Sequence, residues 1–228
     1  MSLRVGVIGA TGYAGEELIE ILLRHSKVQL TALTASANLE KEEPIGKILP
    51  RFAGRIDLEC FSLDVERALP LIDVGFLALP HTVSQDVAAA LLDAGKKVID
   101  LSGDFRLKDP QLYQKWYHAP HEHEDYLSKA VYGLTELNRA QITNADLVAN
   151  PGCYATAAIL GIAPWASQNL IADQPIIIDA KSGATGAGKK PSPFLHFPEV
   201  HGNLKAYKVN AHQHSPEIEQ QLNVLGEE

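Results

Sequence analysis

Three features of this 228-residue sequence predict an α/β fold: a doubly wound parallel sheet followed by part of an α+β domain. An apolar segment at the N-terminus, Leu3-Arg4-Val5-Gly6-Val7-Ile8, runs straight into a turn with glycines at 9, 12 and 15. Apolar segments of strand length then alternate with segments of helix length through residue 152. Beyond Cys153 the alternation gives way to a long helix and a Gly/Lys/Pro-rich loop, which sets the expected domains at 1–152 and 153–228.

Taken in order, Leu3 to Ile8 reads as a strand buried on both faces, and Glu16 to His25 as a helix with Leu18, Leu22 and Leu23 on one side. A strand at Val28 to Thr34 completes a βαβ unit, whose crossover is right-handed by rule. The pattern recurs with a strand at Asp73 to Leu79, an Ala/Leu-rich helix at Ser84 to Ala94, and strands at Lys97 to Leu101 and Asp146 to Ala149. A helix from Cys153 to about Ser167, a strand at Ile176 to Ala180, a loop from Ser182 to Pro193 and a helix from Pro216 to Leu225 follow.

The turn Gly9-Ala10-Thr11-Gly12-Tyr13-Ala14-Gly15 sits where a Rossmann-type sheet holds a pyrophosphate. Glycines there allow a tight turn, close approach of backbone to phosphate and close helix packing, while the helix N-terminus attracts the anion. An acidic residue ending the second strand would bind a ribose 2′-hydroxyl; Leu33-Thr34-Ala35-Ser36-Ala37-Asn38 offers hydroxyls and an amide instead, which favours NADP over NAD.

Hydrophobic residues make up 46% and charged residues 21%, as in an ordered globular chain. A formal charge of −8 argues against nucleic-acid binding, which needs clustered cations. Two cysteines, Cys60 and Cys153, provide neither a disulfide framework nor metal-ligand spacing, and the sequence has no signal-peptide pattern or membrane-length apolar run; a cytoplasmic location is expected. The cluster His118-Ala-Pro-His121-Glu-His123-Glu124 lies in an irregular polar stretch with no second ligand group, so no metal site is expected.

Leu147-Val148-Ala149-Asn150-Pro151-Gly152-Cys153 carries one cysteine through a Pro-Gly turn to a helix start. Free amides and the helix dipole there favour the thiolate, a nucleophile, whereas a cysteine without them is a small buried apolar residue. Asn210-Ala-His212-Gln-His214-Ser-Pro-Glu217 puts two histidines ahead of a helix, on one side of the chain if extended, as partners for the thiol. Arg106, in Asp100-Leu-Ser-Gly-Asp104-Phe-Arg106 after a strand end, is suited to gripping a phosphate or carboxylate, or to an ion pair with Asp104 or Asp109. Lys181-Ser182-Gly183 to Lys190 is rich in backbone donors and has lysines that attract anions.

Those segments, with Leu79-Pro80-His81-Thr82 and Tyr132-Gly-Leu-Thr-Glu136, closely resemble the N-acetyl-gamma-glutamyl-phosphate reductase family in order and spacing along the whole chain. The resemblance implies NADPH-dependent reduction of an acyl phosphate in arginine biosynthesis, with Cys153 as nucleophile and His212 as acid/base. Cofactor contacts are expected at Gly9, Thr11, Gly12, Tyr13, Ala14, Gly15, Ser36, Pro80, Ser182 and Gly183, and substrate contacts at Arg106, by its charge and position, and at Asn150, His214 and Glu217. The resemblance also implies a C-terminally shortened chain, holding part of a substrate/dimerisation domain, and a homo-oligomer in the full-length form. Two related acyl-phosphate reductases share the mechanism: aspartate-semialdehyde dehydrogenase, which differs in its cysteine segment, and the carrier-protein-linked aminoadipate enzyme of lysine synthesis. A non-catalytic NADP-binding module is the alternative of another class.

Overall fold

A computed structural model describes residues 2–35, 39, 41–171 and 175–227. Its strands are β1 (Leu3–Ile8), β2 (Val28–Thr34), β3 (Glu43–Pro44), β4 (Glu59–Phe61), β5 (Val74–Leu77), β6 (Lys97–Asp100), β7 (Val131–Tyr132) and β8 (Leu147–Ala149). They form one sheet in the order β3-β4-β2-β1-β5-β6-β8-β7, parallel throughout except for the β3–β4 pair. Without the small edge strands β3 and β7 this is the doubly wound order, so the chain reverses direction at β1 and opens a crevice between the C-terminal ends of β1 and β5.

Helices α1 (Tyr13–Leu22), α2 (Ile45–Ile48), α3 (Val65–Ala68), α4 (Ser84–Asp93), α5 (Pro110–Tyr117), α6 (Glu124–Lys129) and α7 (Thr135–Thr143) fill the connections. Then come α8 (Cys153–Ala166), α9 (Phe197–Val200) and α10 (Ser215–Glu227). Strand side chains alternate in direction, and the core divides accordingly. Val5 and Val7 of β1 pack with Ile19, Leu33 and Phe52 on one face. Ile8 packs with Ile72, Leu77, Leu91 and Phe105 on the other. A third cluster, Tyr132, Leu134, Ala155, Ile159 and Ile218, fastens α8 and α10 to the end of the sheet.

The strands and helices expected through β8 are present, with shifts at their ends. Helix α1 starts at Tyr13 instead of Glu16, because Gly15 is needed inside its first turn for packing, and gives way after Leu22 to tighter turns such as His25 N–H to Leu22 O. The expected strand at Ile176 to Ala180 is not formed. A strand needs a neighbour to satisfy its amides and cover its side chains. Among the described residues none pairs here, and Ile177 stands 91% exposed. No described helix is long and apolar enough to cross a membrane.

Candidate active site

The glycines of the first turn divide their work. Gly9 has φ +95°, and a Cβ there would lie 2.4 Å from Ala78 O across the crevice. A Cβ on Gly15 would meet Gly9 O at 2.3 Å, so α1 could not pack so closely on the turn. Gly12, by contrast, has open space, its nearest atom 3.8 Å from a Cβ position. That is the position where a pyrophosphate must approach the backbone. Gly9 and Ala10 amides are spent on Thr34 O, and the first bond of α1 is Glu16 N–H to Gly12 O. The amides of Tyr13, Ala14 and Gly15 therefore precede the helical ladder, and no side chain caps α1. Such an N-terminus is built for an anion.

Lys189, from the Gly/Lys-rich loop, reaches this turn: its Nζ lies 3.2 Å from Thr11 O and 2.6 Å from a Glu16 carboxylate oxygen. The loop's Ser182 and Gly183 are exposed, as is Pro80 in the turn following β5 on the opposite wall. Ser36 lies outside the described residues.

Cys153 is the first residue of α8 and is exposed. Cys60, in contrast, is sealed in the core, where burial pushes its thiol up to about 11. The first helical bond of α8 is Thr156 N–H to Gly152 O, which leaves the Cys153, Tyr154 and Ala155 amides ahead of the ladder with no side-chain cap. These donors and the helix dipole can hold an oxyanion formed beside the sulfur.

The loop entering α8 is fixed from below by a buried polar network. Glu217, 1% exposed on α10, accepts from Gly152 N–H at 2.9 Å and from the Tyr132 hydroxyl at 2.7 Å. Its other oxygen faces Arg106 Nη1 at 3.5 Å. Arg106, 4% exposed, also donates to Asn150 O and Leu101 O, both at 2.8 Å. Gln220 donates to Arg106 O and accepts from Lys108 N–H, a second brace from α10.

Arg106 pairs with Glu217 instead of Asp104 or Asp109, and its guanidinium is committed to the backbone on both sides of the site. Glu217 has no open face toward a ligand. Both act on the cysteine loop, one charge neutralising the other, because neither is tolerated alone at such depth. Asn150 supplies the carbonyl that Arg106 holds, and its side-chain amide turns back to Pro151 O.

The histidines separate as well. His214 is buried, its ring packed so closely on Gly152 that a Cβ there would lie 2.3 Å from Nε2. Burial, and next the Arg106 charge, push it down to about 3, so the ring is neutral; among the described residues its buried Nδ1 has no partner. His212 is half-buried, edge-on to Tyr154 with centroids 5.2 Å apart, and Tyr207 flanks it. Burial, and secondarily Lys208, lower its pKa. Its Nδ1 accepts the His214 backbone N–H at 3.1 Å, which puts the proton of the neutral ring on Nε2. The Tyr207 hydroxyl donates to that of Tyr154, the residue after Cys153, at 3.0 Å. Tyr132 and Gln220 were not singled out individually from sequence; the partner that gives each its role lies over 80 residues away.

A family model for the NAD binding domain of semialdehyde dehydrogenase matches residues 4–145, and one for the semialdehyde dehydrogenase dimerisation domain matches residues 153–228. A Desulforudis audaxviator protein named N-acetyl-gamma-glutamyl-phosphate reductase is 47% identical over 98% of this chain and 64% of its own length. One of the same name from Halothermothrix orenii is 48% identical over 96% of this chain and 62% of its own. The chain thus spans less than two thirds of these relatives. Among solved structures, aspartate semialdehyde dehydrogenase II of Vibrio cholerae with its ligand superposes with a TM-score of 0.51 at 21% identity, over 72% of this chain and 47% of that one. Aspartate semialdehyde dehydrogenase of Candida albicans with NADP gives 0.50 at 18% identity, over 75% and 48%. At such identities they share the fold. By the two domain models that match it, over residues 4–145 and 153–228, the chain belongs to the semialdehyde dehydrogenase family.

Proposed function

We propose that this chain carries the chemistry of N-acetyl-gamma-glutamyl-phosphate reductase: NADPH-dependent conversion of N-acetyl-L-glutamyl 5-phosphate to N-acetyl-L-glutamate 5-semialdehyde and phosphate. The observation that carries the proposal is the exposed Cys153 at an uncapped helix N-terminus, in a chain about 47% identical to proteins of that name. The Cys153 thiolate attacks the acyl carbon, a C–S bond forms, and the C–O bond to phosphate breaks. First-turn amides of α8 hold the oxyanion. NADPH, when bound at the α1 turn, would supply the hydride that reduces the thioester carbon, after which the C–S bond breaks and the aldehyde is freed. His212, with its proton on Nε2, protonates the departing thiolate and in the reverse direction takes that proton back. Arg106 and Glu217 position the loop, and His214 closes it against water. The absence of an acidic residue in the described end of β2 supports NADP, held by the amides of α1. The division at 152/153 and a homo-oligomer formed through the second domain, both supported by the model that matches residues 153–228, complete the reading together with a cytoplasmic location.

The test runs the reaction backwards, with N-acetylglutamate 5-semialdehyde, phosphate and NADP⁺, following reduced-cofactor absorbance for the chain and for Cys153→Ala. Phosphate-dependent turnover abolished in the variant is the expected result. NADPH binding without turnover in either protein would overturn the catalytic assignment and leave a cofactor-binding unit.

A further inference from the structure

The turn after β5 contains a residue in a costly conformation. Thr82 is β-branched yet has φ +71°, a region such side chains avoid and occupy only where surrounding structure enforces it. The enforcing group is Asp104, fully buried in the loop after β6, whose Oδ1 accepts the Thr82 N–H at 2.9 Å. The same oxygen accepts the Tyr113 hydroxyl at 2.8 Å, and that hydroxyl in turn accepts from Gln85 at 2.9 Å. Among the described residues, buried Asp104 Oδ2 has no hydrogen-bond partner, a cost that a residue serving only as filler would not carry. A second bond crosses between the segments, Gly103 N–H to His81 Nδ1 at 2.8 Å.

The location gives this clamp its purpose. Ala78 O and the Leu79 side chain border Gly9, so the turn that follows them is the β5 wall of the crevice opposite the pyrophosphate turn. Arg106, two residues beyond Asp104, is bonded to Asn150 O in the cysteine loop.

We propose that Asp104 is a positioning residue that holds Thr82 left-handed, so that the Pro80–Thr82 turn faces the cofactor in register with the Cys153 loop. This rests on the cofactor reading above. The test combines NADPH binding by fluorescence with hydrogen exchange of the Gly103 amide, in the 228-residue chain. Asp104→Ala lowers NADPH affinity roughly tenfold, and adding Thr82→Gly restores most of it, because glycine takes φ +71° without an anchor. Asp104→Asn keeps an acceptor and stays near the parent. Should Asp104→Ala fail to fold, Thr82→Pro decides, since the residue is exposed while proline lacks the N–H and fixes φ near −65°. Tenfold weaker binding and faster Gly103 exchange at unchanged circular dichroism is the expected outcome. Parent-like binding in Thr82→Pro overturns the proposal. Faster exchange in a protein whose parent form does not bind NADPH refutes the cofactor reading and leaves the clamp.

Discussion

Replacing Glu217 with alanine tests the reading that α10 holds the cysteine loop. The substitution removes the acceptor of Gly152 N–H and Tyr132 O–H and the charge facing Arg106. A buried amide left without a partner costs about 1–3 kcal/mol. An arginine only 4% exposed that loses its counter-charge belongs to the class in which breaking a buried pair costs about 3–5 kcal/mol. The two terms overlap, because they describe one desolvated cluster, so the expected loss is about 3–5 kcal/mol and not their sum. Arg106 keeps its bonds to Asn150 O and Leu101 O, which holds the figure to the lower half. Glu217→Gln retains a carbonyl for Gly152 and Tyr132 and should cost about 1–3 kcal/mol. Urea unfolding followed by far-ultraviolet circular dichroism gives both values, with Arg67→Gln, which breaks the half-exposed pair to Glu42, as a control worth about 0–1 kcal/mol. A Glu217→Ala loss no larger than the control's would refute the claim that this carboxylate anchors the loop.

Two further outcomes are expected. Gly15→Ala drives a Cβ into Gly9 O and should cost about 1–3 kcal/mol in urea unfolding, whereas Gly12→Ala, with open space around it, should leave unfolding unchanged and weaken NADPH binding; equal effects on both measurements would sink the division of roles among the glycines. Lowering pH from 7 to 5 should destabilise the fold: between about 3 and the unfolded value of about 6.5 the unfolded chain binds a proton that native His214 does not, a limiting slope of about 1.4 kcal/mol per pH unit. His81, His121 and His212, also lowered, act in the same direction, while Asp100, raised to about 6 by burial, acts oppositely below that pH. Urea midpoints should show a flatter pH dependence for His214→Asn than for the parent, and parallel curves would contradict a buried neutral ring.

What the sequence disclosed follows from how local each cause is. The glycine turn was legible because a tight βα turn is specified within seven residues, and Cys153 because strand, Pro-Gly and helix start are consecutive. The pairing of Arg106 with Glu217 was not, since the two stand 111 residues apart and a charged residue in isolation reads as exposed and available. Asp104 reads in sequence as a neighbour for Arg106; of its two observed donors, the Tyr113 hydroxyl and the Thr82 amide, the second is invisible in any pattern of side chains. The short helices α5, α6 and α7 escaped because none carries a long apolar period: α5 and α6 each bury one side chain, Tyr113 and Leu127, and α7 buries none. The segment Ile176–Ile178 shows the limit from the other side. Its composition is that of a strand, but strand is a relation between two segments. Ile177 remains 91% exposed because intrinsic preference of up to about 1 kcal/mol cannot substitute for the ladder and the covered face that a neighbour would provide.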